Sequence, residues 1–164
     1  MSDTNIQIMI ACHKPCDVPT ESIYLPMHVG SVGKEVIPGF TRDDSGDNIS
    51  EKNPVYCELT GLYWAWKHLE CDYLGLVHYR RYFTEKSKTD QKRKDAMECV
   101  LTRKEIVDLL NQYRVLLPKK RQYYVESIYS HYAHTFDGNQ LDETRRILVE
   151  HYPDYVEAFD HVMK

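Results

Sequence analysis

Residues 6–14 read Ile-Gln-Ile-Met-Ile-Ala-Cys-His-Lys, and residues 73–83 read Tyr-Leu-Gly-Leu-Val-His-Tyr-Arg-Arg-Tyr-Phe. Each stretch begins as a short apolar run and then turns cationic, at His13-Lys14 in the first and at Arg80-Arg81 in the second. Runs of this length, without a sustained polar alternation, predict strands buried on both faces. Strands covered on both faces are characteristic of parallel sheets, whose connections lay helices over them.

The segment between the two runs fits that expectation. Residues 17–38 contain Pro19, Pro26, Gly30, Gly33 and Pro38, which predicts loops with one short strand. Residues 41–48 are almost entirely turn formers. A helix follows, capped by Ser50 or Asn53, with Pro54 in its first turn where a missing N–H costs nothing. Val55, Leu59, Leu62, Trp66 and Leu69 draw one apolar stripe along it. On this reading Trp66 belongs to the core, and Trp64 is less committed.

Beyond the second run, residues 84–98 are charged and read as a loop or an exposed helix. Thr102 and Glu105 form a capping-box pattern ahead of Ile106, Leu109 and Leu110. Val115–Leu117 reads as a short third strand ended by Pro118. Helices are expected over about 122–134 and 140–151, with a last one opened by Pro153. Strands alternating with helices predict an α/β fold with a mostly parallel sheet flanked by helices, in one domain over residues 1–164.

Composition narrows the functional classes. The 164 residues are 42% hydrophobic and 28% charged, which excludes a disordered or collagen-like chain. A formal charge of -4 argues against nucleic acid as a partner. No apolar stretch approaches the ~18–20 residues needed to span a bilayer. The five cysteines are odd in number and scattered, and no signal-peptide pattern opens the sequence, so reduced thiols in a cytoplasmic protein are expected. Cys12 beside His13 is a weak nucleophile pair, with no third group to orient it. Thirteen tyrosines could stack on sugars or bases, or sit at the edge of the core.

Ligands of open α/β sheets bind beyond the carboxyl ends of the strands. That rule gathers three cationic groups on one edge: His13 and Lys14, then His78 with Arg80 and Arg81, then Lys119, Lys120 and Arg121. Cations grouped on an acidic protein suit a bound anion, and paired arginines suit phosphate oxygens; ordinary solvated strand ends are the plain alternative. The acidic turn with Asp43, Asp44, Asp47 and Asn48 can take sugar hydroxyls or a divalent cation, or can simply be an Asx-type loop. It lacks EF-hand spacing, and no DxD triplet occurs. His131 and His134 stand i, i+3 and could face one ligand, but without an HExxH pattern they do not read as zinc ligands. No residue is assigned to a metal.

Four segments together are distinctive: residues 6–14 (IQIMIACHK), 46–53 (GDNISEKN), 57–67 (CELTGLYWAWK) and 75–83 (GLVHYRRYF). They resemble the bacterial domain-of-unknown-function family 4422, with residues 117–121 and 152–159 also fitting. Members of that family occur in capsule, exopolysaccharide and lipopolysaccharide biosynthesis and are regarded as glycosyltransferases, some of them galactofuranosyltransferases. The resemblance implies a GT-A-like, Rossmann-like fold, a nucleotide-diphospho-sugar donor and a lipid-linked glycan acceptor. It implies a cytoplasmic protein with peripheral association at the inner membrane face. It leaves Mn²⁺ or Mg²⁺ open as cofactor. Family members continue several tens of residues past the equivalent of Lys164, so a missing carboxy-terminal portion is expected.

On that resemblance His13 and Lys14 lie near the base, ribose or diphosphate. Arg80 or Arg81, with Lys119 or Lys120, neutralises the leaving diphosphate, while His78, His131 and His134 complete the substrate contacts. Asn48 holds sugar hydroxyls or a metal with Asp44 and Asp47, and these two carboxylates are the candidates for the catalytic base. Two other readings stay open: a non-catalytic nucleotide- or carbohydrate-binding module, and a small phosphate-ester enzyme using the cationic edge.

Overall fold

The computed structural model describes residues 4–86, 97–119 and 123–164. The chain divides into two compact units, Met1–Leu117 and Pro118–Lys164.

The first unit is built on four parallel strands: β1 (Ile6–Cys12), β2 (Tyr24–His28), β3 (Thr41–Arg42) and β4 (Tyr73–His78), in the order β3-β2-β1-β4. β1 lies between β2 and β4, with Ile8 opposite Tyr24 on one side and Gly75 on the other. Its side chains alternate between two apolar clusters. Ile6, Ile8, Ile10 and Cys12 pack with Ile23, Tyr24, Val77, Leu101 and Ile106. Met9 and Ala11 pack with Met27, Val29 and Ala65. Coverage of both faces is why β1 reads as a nearly continuous apolar run.

The helix after the acidic turn differs from expectation. It comes in two pieces, α1 (Asn53–Tyr56) and α2 (Leu59–His68), separated at Cys57 with φ 48 and ψ −129. The break changes the helical phase. Thr60, Gly61 and Ala65 face the sheet, whereas Val55, Leu59 and Trp66 of the expected stripe are 82%, 52% and 67% exposed. Small residues meet the sheet because the backbones come close: a Cβ on Gly61 would lie 2.7 Å from Val29 Cγ1 and 2.9 Å from Met27 Sδ. Trp66 instead packs edge-on against Tyr63, under the Lys67 ammonium.

The predicted strand at Val115–Leu117 is absent. Val115 and Leu117 are exposed, and only Leu116 packs against the core. Three apolar residues without a neighbouring strand edge have no ladder to join. The Thr102–Glu105 capping box opens α3 (Arg103–Leu110) as expected, with Thr102 N donating to Glu105 Oε2 at 2.8 Å. Of the charged segment 84–98, residues 97–99 form a 3₁₀ turn, and residues 87–96 lie outside the described ones.

The second unit holds α4 (Ile128–Thr135), α5 (Asn139–His151) and α6 (Val156–Met163), the last preceded by a 3₁₀ turn at Pro153–Tyr155. These match the expected helices, with α4 beginning later than its periodicity suggested. Among the described residues, no helix is long and apolar enough to cross a membrane.

Candidate functional site

Because all four strands are parallel, their carboxyl ends lie along one edge of the sheet. That edge carries His13 after β1, His28 at the end of β2, Asp43 and Asp44 after β3, and His78 at the end of β4. Lys14 follows His13 and is exposed.

His13 and His78 come together with a residue from the start of α2, Glu58. One ligating atom from each of the three lies within 4.8 Å of the others. The rings of His13 and His78 are 6.4 Å apart, and His78 Nε2 is 3.9 Å from Glu58 Oε1. Arg80 and Arg81 are exposed beside this group, with the Arg80 guanidinium 5.2 Å from the Tyr79 ring. Burial pushes the His78 pKa down, helped by Arg80, while Glu58 acts the other way.

His78 Nδ1 accepts the backbone N–H of Arg80 at 3.2 Å. The neutral ring therefore carries its proton on Nε2, the atom nearest Glu58. A divalent cation held by this trio would need a lone pair at that atom, and His78 presents a hydrogen. The three residues do not fit a resident metal in this arrangement. They suit oxygen atoms of a ligand.

The acidic turn is tied into the fold. Asp43 is fully buried and accepts hydrogen bonds from Gly30 N (2.7 Å), Ser31 N (2.9 Å), Ser31 Oγ (2.9 Å), Ser50 Oγ (2.6 Å) and Thr60 Oγ1 (2.7 Å). Burial alone would raise its pKa, but these donors outweigh burial and hold it below the usual carboxylate value. Asp44 is paired with Arg42 through two guanidinium nitrogens at 3.0 and 2.5 Å, and this pairing lowers its pKa. Asp47 accepts from Tyr63 Oη at 3.0 Å and lies 3.5 Å from Lys67 Nζ. Asn48 closes the turn on itself, donating to the carbonyls of Asp44 and Gly46. Trp64 donates its indole N–H to the carbonyl and hydroxyl of Ser45.

The position of Glu58 has a traceable cause. Asn53 Nδ2 donates to the Cys57 carbonyl at 2.7 Å and to Thr60 Oγ1 at 3.1 Å, and Thr60 is held in turn by Asp43. This chain of bonds fixes the left-handed Cys57 conformation, from which Glu58 starts α2. Cys12 is buried, its thiol pKa is pushed up by burial and by Cys16, and its sulfur is 3.5 Å from that of Cys16. A thiol in that state is no nucleophile at neutral pH.

Within the second unit Lys119 is exposed, while Lys120 and Arg121 lie outside the described residues. His131 and His134 do face one group, the Glu126 carboxylate, at 3.1 and 3.3 Å, and Tyr123 stacks on His131. The sequence reading missed Asp43 as a buried anchor and Glu58 as a member of the edge cluster. The available signal was the small pair Thr60-Gly61 directly after Glu58-Leu59, which marks a helix start pressed against something.

Residues 7–164 match the family model described as a domain of unknown function, DUF4422. The chain belongs to the DUF4422 family. Among solved structures, this DUF4422 chain is similar to one described as the apo form of WbbM, a bifunctional glycosyltransferase. The two share 29% sequence identity with a TM-score of 0.79, over 98% of this chain and 31% of that one. The chain thus spans about a third of the length of the protein it resembles. No curated protein matches it. The parallel sheet flanked by helices is a GT-A-like α/β fold.

Proposed function

We propose that this chain is the transferase part of a nucleotide-sugar-dependent glycosyltransferase in bacterial capsule, exopolysaccharide or O-antigen assembly. The observation carrying the proposal is the likeness, over 98% of the chain, to part of a glycosyltransferase, on a sheet whose ligand edge bears His13, His78 and two exposed arginines. The likeness spans only 31% of a bifunctional protein, so a single transfer reaction is assigned. Arg80 and Arg81 take the diphosphate of the donor, with charge and fork geometry suited to its oxygens. His13, grouped with His78, and Lys14 after it are assigned to the base, ribose or diphosphate of the donor.

The Asp44–Asn48 turn borders the sugar. Its carboxylates are already engaged, so its role in this reading is to shape the subsite. Galactofuranose as the transferred sugar, and a lipid-linked glycan at the cytoplasmic membrane face as acceptor, rest on the polysaccharide-assembly context of the family.

Calorimetric titration with UDP-, GDP- and dTDP-sugars, with and without Mn²⁺, tests the proposal. Saturable binding of one donor class is expected, followed by release of the nucleoside diphosphate on turnover. Binding without turnover would favour a non-catalytic module; absence of binding would remove the transferase reading.

A further inference from the structure

We infer that Glu58, rather than Asp44 or Asp47, is the general base that deprotonates the acceptor hydroxyl. The inference rests on the transferase reading above. Among the described residues, Asp43, Asp44, Asp47 and Glu58 lie in the turns and helix start at the ligand edge, and their surroundings separate them. Asp43 is buried under five hydrogen bonds, Asp44 is clamped by Arg42, and Asp47 is engaged by Tyr63 and Lys67. A carboxylate whose lone pairs are held by cations or donors is a weak base.

Glu58 differs: among the described residues no hydrogen bond holds its carboxylate, and His78 Nε2 lies 3.9 Å from Oε1, beyond hydrogen-bond reach. One ligand hydroxyl can bridge that gap, donating its proton to Glu58 and accepting the Nε2–H of His78. A second lone pair then remains for bond formation. The groups facing Glu58 are His13 from the loop after β1 and His78 from β4, with Arg80 and Arg81 beyond His78.

Two further observations favour a built site. Cys57, directly before Glu58, is the only non-glycine residue with positive φ among the described residues. Such backbone is retained where the surroundings over-determine it. The surroundings here are Asn53, Thr60 and buried Asp43, which form a continuous hydrogen-bonded support under the turn.

In the step itself, the acceptor oxygen forms a bond to the anomeric carbon as the bond from that carbon to the diphosphate oxygen breaks. The bonding pair leaves with the nucleoside diphosphate, and the hydroxyl proton passes to a Glu58 carboxylate oxygen. Single displacement inverts the anomeric centre.

The test is Glu58→Gln in the whole chain, using the donor that saturates the wild-type protein in calorimetry. Nucleoside diphosphate release is followed with water and with octyl hexosides as acceptors. Turnover is expected to fall by about 10²–10⁴-fold, with donor affinity unchanged within about threefold and an inverted product by NMR. Glu58→Asp, which keeps the carboxylate, is expected to recover part of the rate and serves if the Gln variant does not fold. Wild-type turnover in Glu58→Gln, or a retained anomeric configuration, overturns the assignment while leaving the transferase reading intact. A wild-type chain that binds and turns over no donor overturns the transferase reading, and this assignment with it.

Discussion

The Thr60 hydroxyl donates to the Asp43 carboxylate at 2.7 Å, joining the end of β3 to the first turn of α2 across 17 residues of sequence. The same carboxylate holds the backbone N–H groups of Gly30 and Ser31 after β2. One buried charge therefore fixes three loops at the ligand edge.

Removing that charge strands its donors. Asp43→Ala leaves two buried backbone N–H groups and three hydroxyls without their acceptor. A loss of about 3–5 kcal/mol is expected, since each unsatisfied buried group costs about 1–3 kcal/mol and some will be rehydrated. Urea unfolding followed by tryptophan fluorescence measures it. A loss below 1 kcal/mol would mean that the network is not what holds these loops.

The contact between α2 and the sheet is equally specific. In Gly61→Ala the new methyl would meet Val29 Cγ1, Met27 Sδ and Met9 Sδ at 2.7–3.0 Å. Flexible methionines can yield, but the valine is stiff, so destabilisation of about 1–3 kcal/mol is expected. A thermal melt of the variant checks this.

Cys57→Gly tests the strained turn. Glycine adopts φ 48 and ψ −129 at no steric cost, so the variant should retain its stability or gain up to about 1 kcal/mol. Cys57→Val should lose stability, because a β-branched residue tolerates this region worst. Equal unfolding midpoints for the two would show that the strain is absent in solution.

His28 sets a pH dependence. It is 2% exposed, and neither ring nitrogen has a hydrogen-bond partner among the described residues. Burial, and then Lys34 and Arg42, lower its pKa, against opposition from Asp43 and Asp44. The unfolded chain therefore binds a proton at a pH where the folded chain does not. Stability from this source is complete above the ordinary histidine value of about 6.5 and declines as pH falls through it toward the folded pKa. His78, lowered in the same direction, adds to the decline. Denaturation midpoints between pH 8 and pH 5 should fall in the wild type and fall less in His28→Gln. Parallel curves would assign the acid sensitivity elsewhere.

Arg80→Ala addresses the anion clamp. Arg80 is exposed and supports no packed core, so folding should be unaffected. Nucleotide-sugar affinity should weaken by roughly 10–100-fold, the loss of one charge-assisted contact of about 1.5–3 kcal/mol. Unchanged affinity would move the diphosphate away from this edge.

The sequence by itself determined the class of fold. β1 and β4 are visible as apolar runs because strands of a parallel sheet are covered on both faces, and α3 is visible because a capping box is local chemistry between residues three apart. His13 and His78 could be placed on one edge because each stands at the carboxyl end of a parallel strand.

Only the tertiary structure decided the rest. The expected helical stripe held at Leu62 and Leu69, which pack against the core, and failed at Val55, Leu59 and Trp66, because α2 meets the sheet most closely through the small residues Thr60, Gly61 and Ala65. The strand expected at Val115–Leu117 failed because a strand needs an edge to pair with, and apolarity alone does not supply one. Asp43 looked like one more turn residue until Ser31, Ser50 and Thr60 closed around it, and Glu58 gained its setting only when α2 brought it to His78. Local periodicity records which face of an element is buried. It carries no record of which distant donors will meet a carboxylate, because that depends on chain closure across tens of residues.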